Sequence, residues 1–130
     1  MAIFDLTLDN VEQAIQENEI LLLDFWADWC DPCKQFSPIF EKVSENHPDI
    51  GFAKVDTDNQ QTLAAQFGIQ SIPTVGVFRE GILIFLQPGA LEESQLEELI
   101  KQVRQLDMDE VRQKVEEAEQ AEQEEAANQA

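Results

Sequence analysis

The pattern of apolar and polar positions divides most of the chain into short helices and strands. Residues 8–16, LDNVEQAIQ, carry apolar side chains at helical spacing, and Asp9 followed by Glu12 predicts a capping box at the start of a first helix. Residues 19–27, EILLLDFWA, form a dense apolar run of strand length, which is typical of a strand covered on both faces. We therefore expect this strand at the centre of a sheet.

A longer helix is predicted from about Pro32 to Pro48. Proline fits the first turn of a helix because the N–H that it lacks has no partner there, and a later proline ends a helix. Apolar residues recur between the two prolines at intervals of three and four: Phe36, Ile39, Phe40 and Val43.

The remaining patterns complete the order of elements. Residues 50–58, IGFAKVDTD, indicate a strand, and residues 60–68 indicate a short helix closed by Gly68. Residues 74–87, TVGVFREGILIFLQ, predict two strands in a hairpin around Arg79–Gly81. A last amphipathic helix is marked by Leu96, Leu99, Ile100 and Val103. With a strand ahead of the first helix, the order β-α-β-α-β-α-β-β-α predicts an α/β fold with a central mixed sheet and helices on both faces.

Length and composition narrow the possible functions. The 130 residues, 43% of them hydrophobic, suit about one domain with a real core. The net charge of -19 would repel the phosphates of nucleic acids and anionic membrane surfaces, so we expect neither as a partner. No apolar run reaches membrane-spanning length, and residues 1–10 lack the pattern of an export signal. We expect a mature chain that starts near Met1 and a cytoplasmic location.

The composition changes after Leu106. Residues 1–106 carry a net charge of -12, whereas residues 107–130 are rich in Glu, Gln and Ala and carry -7. Asp107 with Glu110 predicts a second capping box and therefore a separate helix. We interpret residues 1–106 as one domain and residues 107–130 as an acidic helical extension. That extension is either a solvated helix that frays toward its end, or a docking arm or the start of a linker.

Cys30 and Cys33 are the only cysteines, and they follow the predicted central strand where the second helix begins. A cysteine is a nucleophile only as the thiolate, and the free amides of a helix N-terminus favour negative charge. The spacing lets Cys30 attack a substrate disulfide and lets Cys33 attack the resulting mixed disulfide. We therefore predict a reversible dithiol.

Other interpretations of the cysteines stay open. A metal site requires about four ligands, and beyond this pair the chain offers only His47, so a metal would have to be shared between two chains. We interpret His47, which precedes Pro48, as a helix-end residue and expect no metal. A permanent disulfide fits a reducing compartment poorly. A pair of buried thiols that only fill space is the remaining alternative.

Three motifs resemble those of the thioredoxin family: FWADWCDPCK at residues 25–34, SIPTV at 71–75 and PGA at 88–90. The resemblance covers about residues 2–106 in unbroken order. It implies a thioredoxin fold and a thiol–disulfide oxidoreductase that reduces protein disulfides, with no cofactor other than the redox-active cysteine pair. It also implies a monomer whose partners are disulfide-containing client proteins and, as electron donor, a thioredoxin reductase.

The resemblance also assigns roles around the dithiol. Cys30 would be the exposed attacking thiolate, and Cys33 would be the buried resolving thiol. Trp29 would shield the dithiol, and Trp26 would pack beneath it.

Asp24 matches the family's buried carboxylate, which exchanges a proton with the resolving cysteine through water. Its position between Leu23 and Phe25 independently predicts burial, which would raise its pKa toward the range of a general base. The alternative is an Asp24 that faces solvent on an open sheet. Lys54 matches the lysine near that carboxylate, although a lysine on a strand is usually a surface residue.

The resemblance makes the Ile72–Pro73 bond cis, whereas sequence statistics alone predict trans. A cis Pro73 would lie opposite the cysteines and turn the backbone of Ile72 outward, so that an extended substrate could pair with it as an added strand. Gly89 and Ala90 would complete a flat apolar groove, or they form only an ordinary turn.

Asp31 departs from the family, in which glycine is the commonest residue at this position. A carboxylate beside Cys30 opposes its thiolate, although the helix terminus favours the aspartate as well. Our hypothesis is a raised pKa for Cys30, a more reducing couple and selection against acidic substrates. Asp31 and its neighbour Pro32 are included among the predicted substrate-binding residues.

Three functions compete on these observations. The first is the protein-disulfide reductase. The second is a holdase, because residues 53–75 together with the glutamate-rich tail are also similar to thioredoxin-like co-chaperones that hold client proteins. The third is an oxidase or isomerase, with which the expected cytoplasmic location is hard to reconcile. Insulin reduction that depends on Cys30 would favour the first, and suppression of aggregation without cysteines would favour the second.

Overall fold

The protein is described here by a computed structural model that covers residues 3–128. Met1, the predicted start of the mature chain, and the last two residues of the extension lie outside the described part. The element order agrees with the sequence prediction, including the separate helix that was predicted after Leu106. The elements are β1 (Phe4–Asp5), α1 (Val11–Glu17), β2 (Ile20–Trp26), α2 (Asp31–Asn46), β3 (Gly51–Asp56), α3 (Gln61–Gln66), β4 (Thr74–Arg79), β5 (Ile82–Pro88), α4 (Glu93–Arg104) and α5 (Met108–Asn128).

The five strands form one mixed sheet in the order β1-β3-β2-β4-β5. Strand β2 lies at its centre, parallel to β3 and antiparallel to β4, which confirms the central position predicted from its apolar run. The first six residues of β2 are buried, as expected for a strand covered on both faces. The parallel pairs are joined by helical crossovers, and β4 and β5 form the predicted hairpin.

Alternation along β2 decides which side of the sheet each residue faces. Leu22 packs with the buried faces of α2 and α4, where Phe36 and Phe40 belong to the same apolar cluster. Leu21 and Leu23 belong to the opposite cluster, which includes residues of α1 and α3. By this alternation Asp24 faces α2, the helix that carries the cysteines.

The ends of the first two helices correct and extend the sequence analysis. The capping box predicted from Asp9 and Glu12 is wrong, because α1 begins after Asn10, whose side chain accepts a hydrogen bond from the amide of Thr7 at 2.8 Å. Helix α2 ends at Asn46, two residues before Pro48, as predicted, and it also contains Pro38 in its interior.

The turn between β4 and β5 consists of Glu80 and Gly81, whose φ angles are 50° and 80°. Both angles are positive, as in the type I′ turn that suits the twist of a two-residue hairpin. Gly68, the predicted end of α3, has a φ of 68° and follows that helix as a terminating residue.

Helix α5 is tied to the rest of the fold at its beginning. The carboxylate of Asp107 accepts hydrogen bonds from the amides of Asp109 and Glu110, so the predicted cap is present. Arg112 pairs with Glu80 at 2.8 Å, and Met108 is the buried residue of this helix. From Arg112 to Asn128 every residue is exposed, which agrees with the solvated helix proposed for this segment.

Among residues 3–128, no helix combines the length and apolar character needed to cross a membrane.

Candidate active site

Cys30 lies between the end of β2 and the first turn of α2, where it is the N-cap residue. Its side chain forms a disulfide with Cys33, so the structure represents the oxidised state. The amide of Cys33 donates a hydrogen bond to the Sγ atom of Cys30 at 3.2 Å. The same amide and the helix terminus would favour a negative charge on this sulfur after reduction.

Cys30 was expected to be exposed and Cys33 buried, and for Cys30 this is wrong in the oxidised state. Cys30 is 4% exposed and Cys33 is 3% exposed. Both sulfurs belong to a small cluster with Ala27, against which Trp26 and Ile72 pack, because the bridge draws the two side chains together. The two cysteines therefore differ by their position on the helix and by their neighbours, not by exposure.

The two tryptophans occupy different environments. Trp26 packs against the cysteine cluster, as predicted. Trp29 is 68% exposed, and its indole Nε1 donates to the carboxylate of Asp58 at 3.1 Å. The shielding of the dithiol by Trp29 stays a prediction.

Asp24 is completely buried, which confirms the burial expected from its apolar neighbours. Neither carboxylate oxygen accepts a hydrogen bond from any residue in the described range. Desolvation raises its pKa from 3.8 to about 7, with Lys54 acting in the opposite direction. A carboxyl group with this pKa can exchange a proton near neutral pH.

A cavity of about 130 Å³ adjoins both Asp24 and the second cysteine of the redox pair. It is lined by Asp24 on one side and by Cys33 on the first turn of α2. A cavity of this volume with polar walls has room for water molecules, so a proton could pass between the two side chains without direct contact. The other lining residues are Trp26, Ala27, Asp28, Lys34, Ser37 and Lys54.

Lys54 lies opposite Asp24 in the register of β2 and β3, as the resemblance implied. Its ammonium group nevertheless donates a hydrogen bond to the hydroxyl of Ser37 on α2 and lies 4.0 Å from the carboxylate of Glu41. It also lies 5.9 Å from the centre of the Trp26 ring. The lysine is thus held mainly by α2.

The predicted substrate surface is partly assembled. Trp29 and Ile72 line one groove of about 530 Å³, whose wall on the other side is α3. The Ile72–Pro73 bond is cis, as the resemblance implied, and the amide of Gly89 donates to the carbonyl of Pro73 at 2.8 Å. Among the other predicted substrate-binding residues, Asp31, Pro32, Gly89 and Ala90 are exposed but do not line this groove, and Pro73 is buried.

The site also includes the loop of Asp56 and Asp58 and the side chain of Ser37, which the sequence patterns did not single out. Asp58 holds Trp29, and its loop is shaped by Asp56, whose carboxylate accepts from the amide of Asp58 at 3.0 Å. Asp56 is the last residue of β3 and Asp58 follows it, and this position was a usable signal, because the carboxyl ends of parallel strands meet at one edge of the sheet. For Ser37 the signal was its spacing of four from Cys33, which places both on one face of α2.

In residues 3–128, no group of three or more His, Cys, Asp or Glu residues could hold a metal ion. His47, the remaining residue considered as a ligand, is the C-cap of α2, and its ring contacts Glu97 and Arg104.

Comparison with known proteins agrees with this geometry. The family model described as Thioredoxin matches residues 2–102. A Streptomyces coelicolor protein with a thioredoxin name is 54% identical over 111 residues, covering 85% of this chain and 83% of its own. The thioredoxin of Alicyclobacillus acidocaldarius is 40% identical over 105 residues, and the match covers 77% of this chain and 100% of that protein. The solved structure of a Halobacterium salinarum thioredoxin variant superposes with a TM-score of 0.74 at 31% identity, covering 80% of this chain and 91% of that one.

Proposed function

The chain belongs to the thioredoxin family and is a thiol–disulfide oxidoreductase that reduces protein disulfides, and from this premise we propose which residues carry each step. The observation that carries the proposal is the position of Cys30 as N-cap of α2, with the amide of Cys33 directed at its sulfur.

The first step is attack on the substrate. In the reduced protein the Cys30 thiolate attacks one sulfur of a substrate disulfide, a mixed disulfide forms, and the other substrate sulfur leaves as a thiolate that takes a proton. Cys30 is the attacking residue because it is the one that the helix terminus and the Cys33 amide stabilise as an anion.

The second step resolves the mixed disulfide. Asp24 accepts the proton of Cys33 through the shared cavity, and the Cys33 thiolate then attacks the Sγ atom of Cys30. The Cys30–substrate bond breaks and the second substrate thiolate leaves. The substrate gains two electrons and two protons, and the Cys30–Cys33 disulfide of the structure is formed.

The substrate would bind beside the dithiol along the groove between Trp29 and Ile72. No backbone hydrogen bond to another described residue engages the N–H or C=O of Ile72, so both are free to pair with an extended segment of substrate. Pro73 and Gly89, which are joined by a hydrogen bond, would support that segment from below, and Asp31, Pro32 and Ala90 would contact it at the rim.

Reduction of insulin disulfides by the chemically reduced protein tests the assignment of the cysteines. Cys30→Ser should remove activity completely, because no attacking sulfur remains. Cys33→Ser should still attack but should stall as a mixed disulfide that survives without reductant and is visible by mass spectrometry. Equal trapping of substrate by the two variants would contradict the assignment of Cys30 as the attacking residue.

The oxidised pair must be reduced again after each turnover. A thioredoxin reductase is the proposed donor, and disulfide-containing proteins are the proposed clients. Such a cycle operates in a reducing compartment, so we propose a cytoplasmic location. We also propose, from the family resemblance, that the protein acts as a monomer. The family match favours this reductase over the holdase, and the extension from residue 107 onward is proposed to lie outside the catalytic domain.

A further inference from the structure

Lys54 and Asp24 occupy opposite positions on neighbouring strands, yet they do not form an ion pair within 4.0 Å in the described part of the chain. The ammonium group instead donates to the hydroxyl of Ser37 and lies 4.0 Å from Glu41. Two residues of α2 therefore hold a cation that the sheet alone would place beside Asp24.

The location of this cation has chemical consequences. A lysine in contact with a buried carboxylate stabilises the charged form, and this effect is strong where water is largely excluded. A carboxylate paired in that way stays ionised and takes up a proton poorly. A more distant lysine still attracts the anion, but it leaves the carboxyl group free to gain and lose its proton.

We propose that Ser37 is a positioning residue for proton transfer, which holds the Lys54 ammonium on the α2 side of the cavity and so keeps the Asp24 carboxylate unpaired. This inference rests on the proposed role of Asp24 as acceptor of the Cys33 proton. Ser37 does not touch the reacting sulfurs in this assignment, and it acts through Lys54.

The other charged groups around the cavity do not pair with the Asp24 carboxylate in place of Lys54. The loop after β2 contributes Asp28 to the cavity wall, and α2 contributes Lys34 in addition to Ser37. Lys34 has a partner in Asp31 at 3.9 Å and is 64% exposed. On the opposite side, the residue of β4 in register with Asp24 is the uncharged Val75.

The decisive substitution is Ser37→Ala, because it removes the hydroxyl without changing any formal charge. Alanine is favourable in a helix, so the variant should fold. The readout is the pKa of Asp24, followed by NMR of its carboxyl carbon in the oxidised protein, where cysteine ionisation does not interfere. Released from Ser37, the ammonium should approach Asp24, and the pKa of Asp24 should fall from about 7 by about one unit.

Two matched variants control for the change of side chain. Ser37→Thr keeps a hydroxyl at the same place and should keep the pKa of Asp24. Ser44→Ala makes the same substitution on the same helix, where the hydroxyl bonds the carbonyl of Glu41, and it should also leave that pKa unchanged.

A double-mutant cycle separates lysine movement from entry of water into the enlarged cavity. In a Lys54→Met background, adding Ser37→Ala should leave the pKa of Asp24 equal to that in Lys54→Met alone, because there is no ammonium to release. An unchanged pKa in Ser37→Ala alone, or an equal fall in both backgrounds, would overturn the inference.

The pH dependence of insulin reduction distinguishes this inference from the assignment of Asp24. If the pKa of Asp24 falls in Ser37→Ala and the acidic limb of the rate profile moves with it, both stand. If that pKa falls and the rate profile stays in place, the positioning by Ser37 stands and Asp24 is not the proton acceptor.

Discussion

The amide of Cys33 donates a hydrogen bond to the Sγ atom of Cys30 across the first turn of α2. This contact would favour the thiolate of Cys30 once the disulfide is reduced, together with the other free amides of the helix terminus. Asp31 lies between the two cysteines, and its side chain is 87% exposed. Its charge opposes the thiolate, although Lys34 lies 3.9 Å away and offsets part of it.

Replacing Asp31 should therefore ease ionisation of Cys30. We expect Asp31→Gly and Asp31→Asn to lower the pKa of the Cys30 thiol by about half a unit, a small effect because water and salt screen so exposed a charge. Ultraviolet absorbance of the thiolate during a pH titration measures it. The asparagine variant separates charge from the backbone freedom of glycine. A native titration midpoint equal to or below that of both variants would refute the hypothesis.

Asp24 should make stability depend on pH in an unusual direction for a carboxyl group. Its pKa in the folded state, about 7, lies above its ordinary value of 3.8, so the folded protein binds more protons than the unfolded chain between these values. The free energy of unfolding therefore falls as pH rises from about 4 to about 7, and the loss is complete above that window.

Asp24→Asn should remove this dependence. By linkage, the variant should gain about 4 kcal/mol of stability at pH 8 and less than about 2 kcal/mol at pH 5, reduced in both cases by the unpaired amide. Urea unfolding at the two pH values measures the difference. The matched control is Asp9→Asn at an exposed position, which should change the free energy of unfolding by the same small amount at pH 5 and at pH 8. A gain that is equal at pH 5 and pH 8 would contradict the raised pKa.

Sequence reasoning reached the topology of this protein because local patterns and backbone connectivity decide it. The apolar run of β2 indicated a central strand, and the same run indicated burial of Asp24. The first capping box is absent because α1 begins after Asn10, not after Asp9, and the side chain of Asn10 binds the amide of Thr7 instead of an amide of the helix. Two adjacent residues with capping side chains cannot be ranked from sequence alone.

Contacts between layers were beyond sequence reasoning. The hydrogen bond from Lys54 to Ser37 depends on how β3 and α2 pack and on which lysine rotamer results. The near-complete burial of Cys30 depends on the formed disulfide and on its neighbours Trp26 and Ile72. Such facts require side-chain positions in three dimensions, which a spacing of residues along the chain does not contain.

Arg79 should contribute to stability far from the dithiol. Its Nη1 atom donates to the carbonyls of Val103 at 2.6 Å, Arg104 at 3.2 Å and Leu106 at 3.0 Å, so it satisfies the free end of α4. Arg79→Met keeps the apolar stem and should cost about 2 kcal/mol in the free energy of unfolding, the range of a partly buried, charge-assisted bond. Urea unfolding at neutral pH measures it.

Arg112→Met is the matched control for Arg79→Met. Arg112 binds the carboxylates of Glu80 and Asp109 at the protein surface. We therefore expect Arg112→Met to lower the free energy of unfolding much less. Equal losses in the two variants would show that Arg79 is not the principal cap of α4.

Removal of the C-terminal helix should separate stability from activity. The ion pair of Arg112 with Glu80 fastens α5 to the β4–β5 turn. This turn follows Arg79, which is in register with Ile20 at the start of β2. Cys30 follows the opposite end of β2. Seven strand residues separate the two ends by about 20 Å. A chain that ends at Leu106 should therefore keep its kcat/KM for insulin reduction but lose stability, because it lacks the buried Met108. A chain that ends at Met108 should recover part of that stability. Loss of catalytic efficiency in both truncated chains would instead mean that α5 takes part in substrate reduction. The chain that keeps Met108 would show the same loss, so the loss could not be explained by the missing Met108 side chain.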